Sequence, residues 1–272
     1  MQIAQILGLA QKEHLRTEME VFLSHLLGHS RLDLIAHGEE EIPVEKLADL
    51  QLAWTALKAG KPVAYLTHQK EFYGLTLFVN ESVLIPRPCT ELLVDWASEV
   101  AEKKVLELGT GSGAIALALK TKRPDLEVSA TDISLDALAI ANKNCVQLKL
   151  DVKFLQSDLL TEVPREDFDT LMANLPYIGT ETHANIDENV LNHEPGLALF
   201  GGADGLDLYR RLFGQIREGI WNFKYILGEV GFSQGEAVRE LANDSLPEYV
   251  FTLRQDLEGL DRHFLLERKS EI

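Results

Sequence analysis

The 272-residue sequence predicts an α/β protein in which helices cover both faces of a mostly parallel sheet, with a small helical domain before that sheet. Three observations support this prediction. Residues 1–60 show helical periodicity, and from residue 89 onward strand-like and helix-like segments alternate. Two strand-like segments, residues 249–254 and 263–267, then follow each other closely and favour an antiparallel edge.

The predicted N-terminal domain, residues 1–68, contains helix start signals and no pattern of catalytic groups. Thr17 and Glu20 have the spacing of a capping box, and Ser30 is expected to cap a short helix. Pro43 stands where a first-turn proline belongs, before apolar residues at helical spacing. We therefore predict a packing or recognition module here.

Residues 69–88 predict a β-hairpin linker. Tyr73 and Gly74 have the turn chemistry of a hairpin, and the stretch from Leu84 to Pro88 is expected to be extended because proline disfavours helix.

The second domain is residues 89–272, and the polar stretch from Thr180 to Pro195 is expected to be a loop near its site. Its expected strands are 104–108, 126–131, 152–156, 169–173 and 225–230, and its expected helices are 90–101, 114–120, 134–146, 206–219 and 234–243.

Composition disfavours several classes of protein. The net charge of −17 disfavours binding to a bare phosphate backbone, which needs clustered basic residues. Cys89 and Cys145 lie in no disulfide or zinc pattern, and the eight histidines show no metal spacing. The sequence has no signal-peptide pattern and no stretch of membrane-spanning length. We expect a cytoplasmic protein without a metal, a membrane partner or a direct nucleic-acid partner.

The segment from Val105 to Gly113 predicts a nucleoside-binding site. A strand-like run ends at Leu108, three alternate glycines follow, and a helix is expected from Ala114. Glycines let the backbone approach a ligand closely, and a helix N-terminus offers free N–H groups. Asp132, at the expected end of the next strand, can accept the hydroxyl groups of a ribose. The predicted binding loop consists of Gly109, Thr110, Gly111, Ser112 and Gly113.

Two ligand classes fit this loop. Gly109, Gly111 and Ala114 satisfy the loose dinucleotide fingerprint. Glu107 with the three glycines is instead the pattern of class I S-adenosylmethionine-dependent methyltransferases, which have a Rossmann-like fold. An acidic site suits the sulfonium cation of S-adenosylmethionine, whereas a pyrophosphate beside Glu107 would be repelled, so we expect Glu107 to face the ligand. We therefore predict S-adenosylmethionine as the cofactor.

Asp158 and Leu159 follow the next expected strand. The Asp158 carboxylate could accept a hydrogen bond from an adenine amino group, with the Leu159 main-chain N–H facing the ring. The alternative is that Asp158 only caps a turn or a helix.

The segment Asn174-Leu175-Pro176-Tyr177 is where we predict the chemistry. It directly follows a short apolar run, and Pro176 biases Leu175 toward an extended conformation. Ligands of open α/β sheets bind at the carboxyl ends of strands. The Asn174 side-chain oxygen and the Leu175 carbonyl are two acceptors beside an aromatic ring, which suits a planar substrate carrying an NH2 group.

These stretches together resemble the HemK/PrmC family of protein-glutamine methyltransferases. The resemblance implies transfer from S-adenosylmethionine to the side-chain amide nitrogen, N5, of the glutamine in the Gly-Gly-Gln motif of class I peptide chain release factors. It also implies that the helical domain docks the release factor, that the glycine loop and Asp132 contact the cofactor, and that Asn174 to Tyr177 hold the glutamine amide, with Asn174 also beside the cofactor. The segments concerned are 62–66, 71–75, 83–88, 106–118, 132–134, 174–178, 194–202, 204–211 and 234–238.

Two residues depart from the family pattern. Leu175 replaces the first proline of the usual Asn-Pro-Pro-Tyr, and Cys89 replaces the glutamate of the usual Pro-Glu-Thr-Glu. We expect Leu175 to be compatible with activity, because every residue has a main-chain carbonyl. The alternatives are glutamine methylation of a ribosomal protein, adenine-N6 methylation of DNA, and a non-catalytic module that only binds the cofactor.

Overall fold

A seven-stranded sheet organises the larger part of the chain in the computed structural model, which describes residues 1–180, 186–218 and 221–269. The strands of the described residues are β1 (Gln69–Phe72), β2 (Leu75–Phe78), β3 (Lys104–Leu108), β4 (Glu127–Asp132), β5 (Lys153–Gln156), β6 (Thr170–Ala173), β7 (Tyr225–Glu229), β8 (Tyr249–Gln255) and β9 (Asp261–Arg268). The order in the sheet is β5-β4-β3-β6-β7-β9-β8. Strands β3 to β7 pair in parallel, and β9 pairs antiparallel with both β7 and β8, so the predicted fold is confirmed.

The helices of the described residues are α1 (Ile3–Lys12), α2 (Arg16–Leu27), α3 (Arg31–Ala36), α4 (Leu47–Lys58), α5 (Val63–Thr67), α6 (Glu91–Val100), α7 (Ala114–Lys122), α8 (Leu135–Leu148), α9 (Glu188–His193), α10 (Asp207–Arg217) and α11 (Gly235–Ser245). The sequence did not predict α5. It also predicted a loop where α9 lies, and that prediction is wrong for residues 188–193. Residues 181–185 of the expected loop and the expected helix end at Gly219 lie outside the described residues.

Two apolar cores lie on opposite faces of the sheet, because successive side chains of a strand point to opposite faces. On one face Leu106, Leu171 and Ile226 pack with apolar residues of α10 and α11. On the other face Val105, Met172 and Leu227 pack with α6 and α7. Glu107 and Glu229 lie two positions after Val105 and Leu227 on their strands, so their side chains point to the same face as this second set. Two carboxyl groups therefore lie on one face of the sheet, near the strand ends.

The hairpin of β1 and β2 is present as predicted. Tyr73 and Gly74 have φ values of 53° and 72°, the left-handed region that a tight hairpin turn requires. Phe72 and Leu77 are buried in the core that contains α6 and α7, so the hairpin packs on the sheet instead of only linking domains. The fully buried Asn144 of α8 accepts from the Phe78 N–H at 2.6 Å and donates to the Phe78 carbonyl at 2.9 Å.

A separate compact unit contains residues 1–69 together with 187–193. Its apolar core is formed by α1, α2, α3 and α4. The predicted division into domains 1–68, 69–88 and 89–272 stays a prediction. Within the described residues, no helix has the length and apolar character needed to span a membrane.

The predicted helix starts of this unit have mixed outcomes. Ser30 caps α3 as expected, because its hydroxyl accepts from the Asp33 N–H at 3.1 Å. The Thr17–Glu20 capping box is wrong, since α2 begins at Arg16 and Glu20 instead binds Arg16 and Arg31. The hydrogen bond from Arg31 lowers the pKa of Glu20. Pro43 precedes a three-residue turn, Val44–Lys46, and α4 starts only after that turn.

Candidate active site

A cavity of about 520 Å³ opens at the carboxyl ends of the parallel strands. That volume lies within the range of small-molecule sites. Its walls include the glycine loop after β3, Asp132 after β4, Asp158 and Leu159 after β5, and Asn174 to Pro176 after β6. The structure thus brings together the segments that the sequence singled out for cofactor and substrate. Residues 81–84, 86 and 87 also line the cavity and were not predicted as site residues.

The glycine loop takes a backbone course that other residues adopt only with strain. Gly109, Gly111 and Gly113 have φ values of 70°, 55° and 83°. A Cβ on Gly113 would lie 3.0 Å from the Leu117 side chain and 3.3 Å from that of Ala141, so α7 packs directly against the loop. The N-terminus of α7 follows immediately, and its first two residues, Ala114 and Ile115, line the cavity.

Glu107 lies beneath this loop instead of in the cavity. Its side chain is 1% exposed, and one oxygen accepts from the Thr110 hydroxyl at 2.7 Å and the Ala116 N–H at 3.1 Å. The other oxygen has no hydrogen-bond partner among the described residues. Burial raises the pKa of Glu107 to about 7. The expectation that Glu107 faces the ligand is therefore wrong, because its carboxyl group anchors the loop from below.

Asp132 forms part of the cavity wall at the end of β4, and its contact with a ribose stays a prediction. Its two oxygens accept from the Gly111 N–H and the Ser134 N–H, each at 2.9 Å. Burial raises the pKa of Asp132, and these backbone hydrogen bonds oppose that shift. A carboxylate has about four acceptor positions, so these backbone groups leave Asp132 able to accept from a hydroxyl group of a ligand.

Asp158 and Leu159 lie where β5 ends, but Asp158 already has a protein partner. Arg211 of α10 donates to the Asp158 carboxylate at 2.6 Å and also lines the cavity. Leu159 has a φ of 54°, an uncommon left-handed conformation, and the Ser157 hydroxyl donates to its carbonyl at 2.8 Å. The contact of Asp158 with an adenine stays a prediction. Sequence reasoning missed Arg211, which no local pattern distinguishes from a surface arginine.

Asn174 is oriented by a hydrogen bond that only the folded chain reveals. Its Nδ2 donates to the Thr90 hydroxyl at 3.3 Å. Among the described residues, no donor reaches Asn174 Oδ1 or the Leu175 carbonyl. Both residues line the cavity, and the contact of these two acceptors with a substrate stays a prediction.

Leu175 is accommodated in the core. Its side chain is 3% exposed and packs with Leu106 and Leu108 under the sheet end. The Tyr209 hydroxyl is 2.7 Å from the Glu229 carbonyl and 3.1 Å from the Ala173 carbonyl, so it links the ends of β6 and β7.

The backbone of residues 174–177, the tetrad, is held by a glycine-rich segment that passes against it. A Cβ on Gly201 would lie 2.2 Å from the Pro176 carbonyl, and one on Gly205 would lie 2.0 Å from the Tyr177 carbonyl. The Gln234 side chain donates to the same Tyr177 carbonyl at 2.8 Å. These glycines are therefore required by close backbone packing, not by flexibility.

The Tyr177 hydroxyl is directed into the protein. It donates to Glu229 at 3.2 Å, and burial raises the pKa of Tyr177. Tyr177 does not belong to the described residues that line the cavity, so its contact with a substrate stays a prediction. No group of three or more His, Cys, Asp or Glu residues in the described ranges is arranged to hold a metal ion.

Glu194 positions the cavity wall formed by residues 82–87. It is 5% exposed and accepts from the Ile85 N–H at 3.1 Å and from the Arg87 guanidinium at 2.5 Å. Burying a carboxylate costs free energy unless such partners satisfy it. The two bonds hold residues 82–87 in place, although this stretch belongs to no strand of the sheet.

Comparison with known proteins gives consistent matches. The PrmC N-terminal domain model matches residues 2–67, and the Methyltransferase small domain model matches residues 87–199. A release factor glutamine methyltransferase of Streptococcus pneumoniae is 37% identical over 98% of this chain and 99% of its own length. The one from Escherichia coli is 36% identical over 85% of each chain. Among solved structures, the hMettl16 catalytic domain bound to the MAT2A 3′UTR hairpin 6 has a TM-score of 0.62, at 15% identity, covering 79% of this chain and 83% of that one.

Proposed function

Because the chain belongs to the release factor glutamine methyltransferase family, we propose that it methylates N5 of the glutamine in the Gly-Gly-Gln motif of class I peptide chain release factors. Family membership makes the chain an S-adenosylmethionine-dependent glutamine methyltransferase. The atom modified and the motif recognised are the parts that we propose. The observation that carries the proposal is the pair of unbonded acceptors, Asn174 Oδ1 and the Leu175 carbonyl, at the cavity wall.

The residues of the cavity fit S-adenosylmethionine. Asp132 is fixed by two backbone N–H groups and keeps acceptor positions for the ribose hydroxyls. The glycine loop allows close approach to a ligand, and Asp158 and Leu159 are the candidates for the adenine. When bound, S-adenosylmethionine supplies an electrophilic methyl group on a sulfonium centre.

The protein's own contribution is to position a poor nucleophile. A carboxamide nitrogen is weakly nucleophilic because its lone pair is delocalised into the carbonyl. Asn174 Oδ1 and the Leu175 carbonyl each accept one N–H of the substrate, which fixes the nitrogen and favours its pyramidal form. Such positioning effects supply up to about 7–11 kcal/mol. The methylated nitrogen can lose its proton to water afterwards, so the residues need not include a general base.

Residues 1–68 are proposed to dock the release factor. They contain none of the cavity residues, and they coincide with the region that matches the PrmC N-terminal domain model. On α3, Leu32 and Ile35 are 78% and 64% exposed and lie one helical turn apart, where both can contact a protein partner. The proposed setting is the cytoplasm, where translation takes place, and the net charge of −17 disfavours a direct nucleic-acid partner.

A transfer assay on intact substrate tests the proposal. The protein is incubated with S-adenosylmethionine and a purified class I release factor, and mass spectrometry locates the added methyl group. We expect one methyl group on the glutamine of the Gly-Gly-Gln motif, and none on a release factor whose glutamine is replaced by glutamate. Methylation of a ribosomal protein or of DNA adenine with an unmodified release factor would assign a different substrate. Cofactor binding with no transfer to any of them would indicate a non-catalytic module.

A further inference from the structure

A buried carboxylate, Glu229, lies behind the tetrad and is not part of the cavity wall. It ends β7 and is 0% exposed. Its Oε2 accepts from the Thr90 hydroxyl at 2.7 Å, and its Oε1 accepts from the Tyr177 hydroxyl at 3.2 Å. His263 Nε2 lies 3.4 Å from Oε2, but not in hydrogen-bonding geometry. Two neutral hydroxyl groups are therefore the hydrogen-bond donors to this carboxylate among the described residues.

The carboxylate determines the direction of the hydrogen bonds that lead to the active site. An ionised carboxylate only accepts hydrogen bonds, so the single proton of the Thr90 hydroxyl must point at Glu229. The Thr90 oxygen can then only accept from its other neighbour. That neighbour is the Asn174 amide, 3.3 Å away, which must present its NH2 group to Thr90. Asn174 Oδ1 is consequently turned away from Thr90.

We propose that Glu229 is a positioning residue for methyl transfer, which acts through Thr90 to keep the oxygen of the Asn174 amide, and not its NH2 group, facing the substrate. An amide in the opposite orientation would present N–H groups to the N–H groups of the substrate. The proposal rests on the proposed function, since it assigns Glu229 a part in presenting an acceptor to a carboxamide.

Stability alone is a poor reason for this arrangement. A buried carboxylate costs free energy on transfer from water, and well-packed apolar residues often replace buried ionic groups without loss of stability. Glu229 and Thr90 are 139 positions apart in the sequence, on β7 and on the turn before α6. The bond between them therefore ties the Asn174 orientation to the folded sheet.

Three single variants and one double variant test the proposal, with kcat, KM and cofactor Kd measured separately for each. Thr90→Val keeps the shape of the side chain but removes its hydroxyl, and Thr90→Ser is the matched control that keeps the hydroxyl. Glu229→Met removes the acceptor and leaves the Thr90 proton free to point at Asn174. We expect Thr90→Val and Glu229→Met to lower kcat by about tenfold or more, with KM and cofactor Kd within about twofold, and Thr90→Ser to stay within about threefold of wild type.

The double variant separates a positioning role from a structural one. If Glu229 acts through Thr90, Glu229→Met should lower kcat by less than about twofold when Thr90 is already valine. Full additivity of the two losses, or an unchanged kcat in Thr90→Val, would overturn the proposal. A loss that appears only in cofactor Kd or in the melting temperature would do the same.

Neutron diffraction tests the orientation without relying on the reaction. In wild-type crystals exchanged into D2O, the amide deuterons of Asn174 should lie on the side of Thr90, and the Thr90 deuteron on the side of Glu229. An amide oxygen facing Thr90 would refute the inference even in an active enzyme. If the wild-type enzyme is active on another substrate but inert on release factors, the proposed substrate fails, while the neutron result still decides the role of Glu229.

Discussion

Replacing Glu107 with glutamine should change how the stability of the protein depends on pH. Glutamine has the shape of a protonated glutamate, so it can still accept from Thr110 and Ala116 through its oxygen. Its NH2 group would occupy the position of the carboxyl oxygen that has no hydrogen-bond partner. The variant therefore keeps the geometry under the glycine loop and removes only the titration.

Burial raises the pKa of Glu107 from 4.5 to about 7 in the folded protein. Because the folded pKa is higher than the unfolded one, the folded state binds more protons between these two values. The contribution of Glu107 to the free energy of unfolding is therefore greatest below pH 4.5. It falls as the pH rises toward 7 and stays constant at higher pH. A difference of this size in pKa corresponds to about 3 kcal/mol in the free energy of unfolding.

Urea unfolding of wild type and Glu107→Gln at several pH values measures this effect. Between pH 4.5 and pH 8, the free energy of unfolding of the variant should rise by about 3 kcal/mol relative to that of wild type. Glu236→Gln is the matched control, because its side chain is 73% exposed on α11. Parallel curves for wild type and Glu107→Gln would show that Glu107 does not titrate in this window, and the account of the loop would be wrong.

Three further predictions concern ligand binding and rate. Asp132→Ala should weaken S-adenosylmethionine binding by about 1.5–3 kcal/mol in calorimetry, the range for hydrogen bonds to a charged group. Replacing the exposed Asp244 with alanine should not weaken binding. Equal Kd values for wild type and Asp132→Ala would remove Asp132 from the site. Leu175→Pro should change the transfer rate by no more than about tenfold, or 1.4 kcal/mol, and a gain of many orders of magnitude would mean that the wild-type tetrad has decayed. A chain that begins at Gln69 should keep its cofactor affinity but transfer more slowly to intact release factor; an undiminished rate would exclude the docking role.

Much of the sheet could be predicted from local sequence. The strand-like segment 104–108 coincides with β3, and the glycine spacing after it placed the loop at the end of a central strand. The antiparallel pair β8 and β9 was also predicted, because both segments combine apolar residues with a short connection. These features depend on periodicity and turn chemistry, which neighbouring residues determine.

The parts that could not be predicted depend on contacts distant in sequence. Thr90, Glu229 and Arg211 carry no local signal of a role, and only the fold brings them to Asn174 and Asp158. Glu107 was expected beside the ligand because its charge suits a sulfonium cation, but the sequence does not give the depth at which its carboxyl group lies under the loop. The Thr17–Glu20 capping box failed because α2 begins at Arg16, before Thr17, and Glu20 pairs with Arg31, 11 positions away in the sequence.

The transfer rate of Asn174→Ala tests the central claim most directly. Alanine removes the side-chain acceptor and leaves the Leu175 carbonyl, Asp132 and the glycine loop in place. Loss of one hydrogen bond made in the transition state typically costs about 2.7–4 kcal/mol, so single-turnover transfer to a release factor should fall by about 10²–10³. Cofactor Kd should remain close to that of wild type. A rate within a few-fold of wild type would place the reacting amide elsewhere in the cavity and contradict the mechanism.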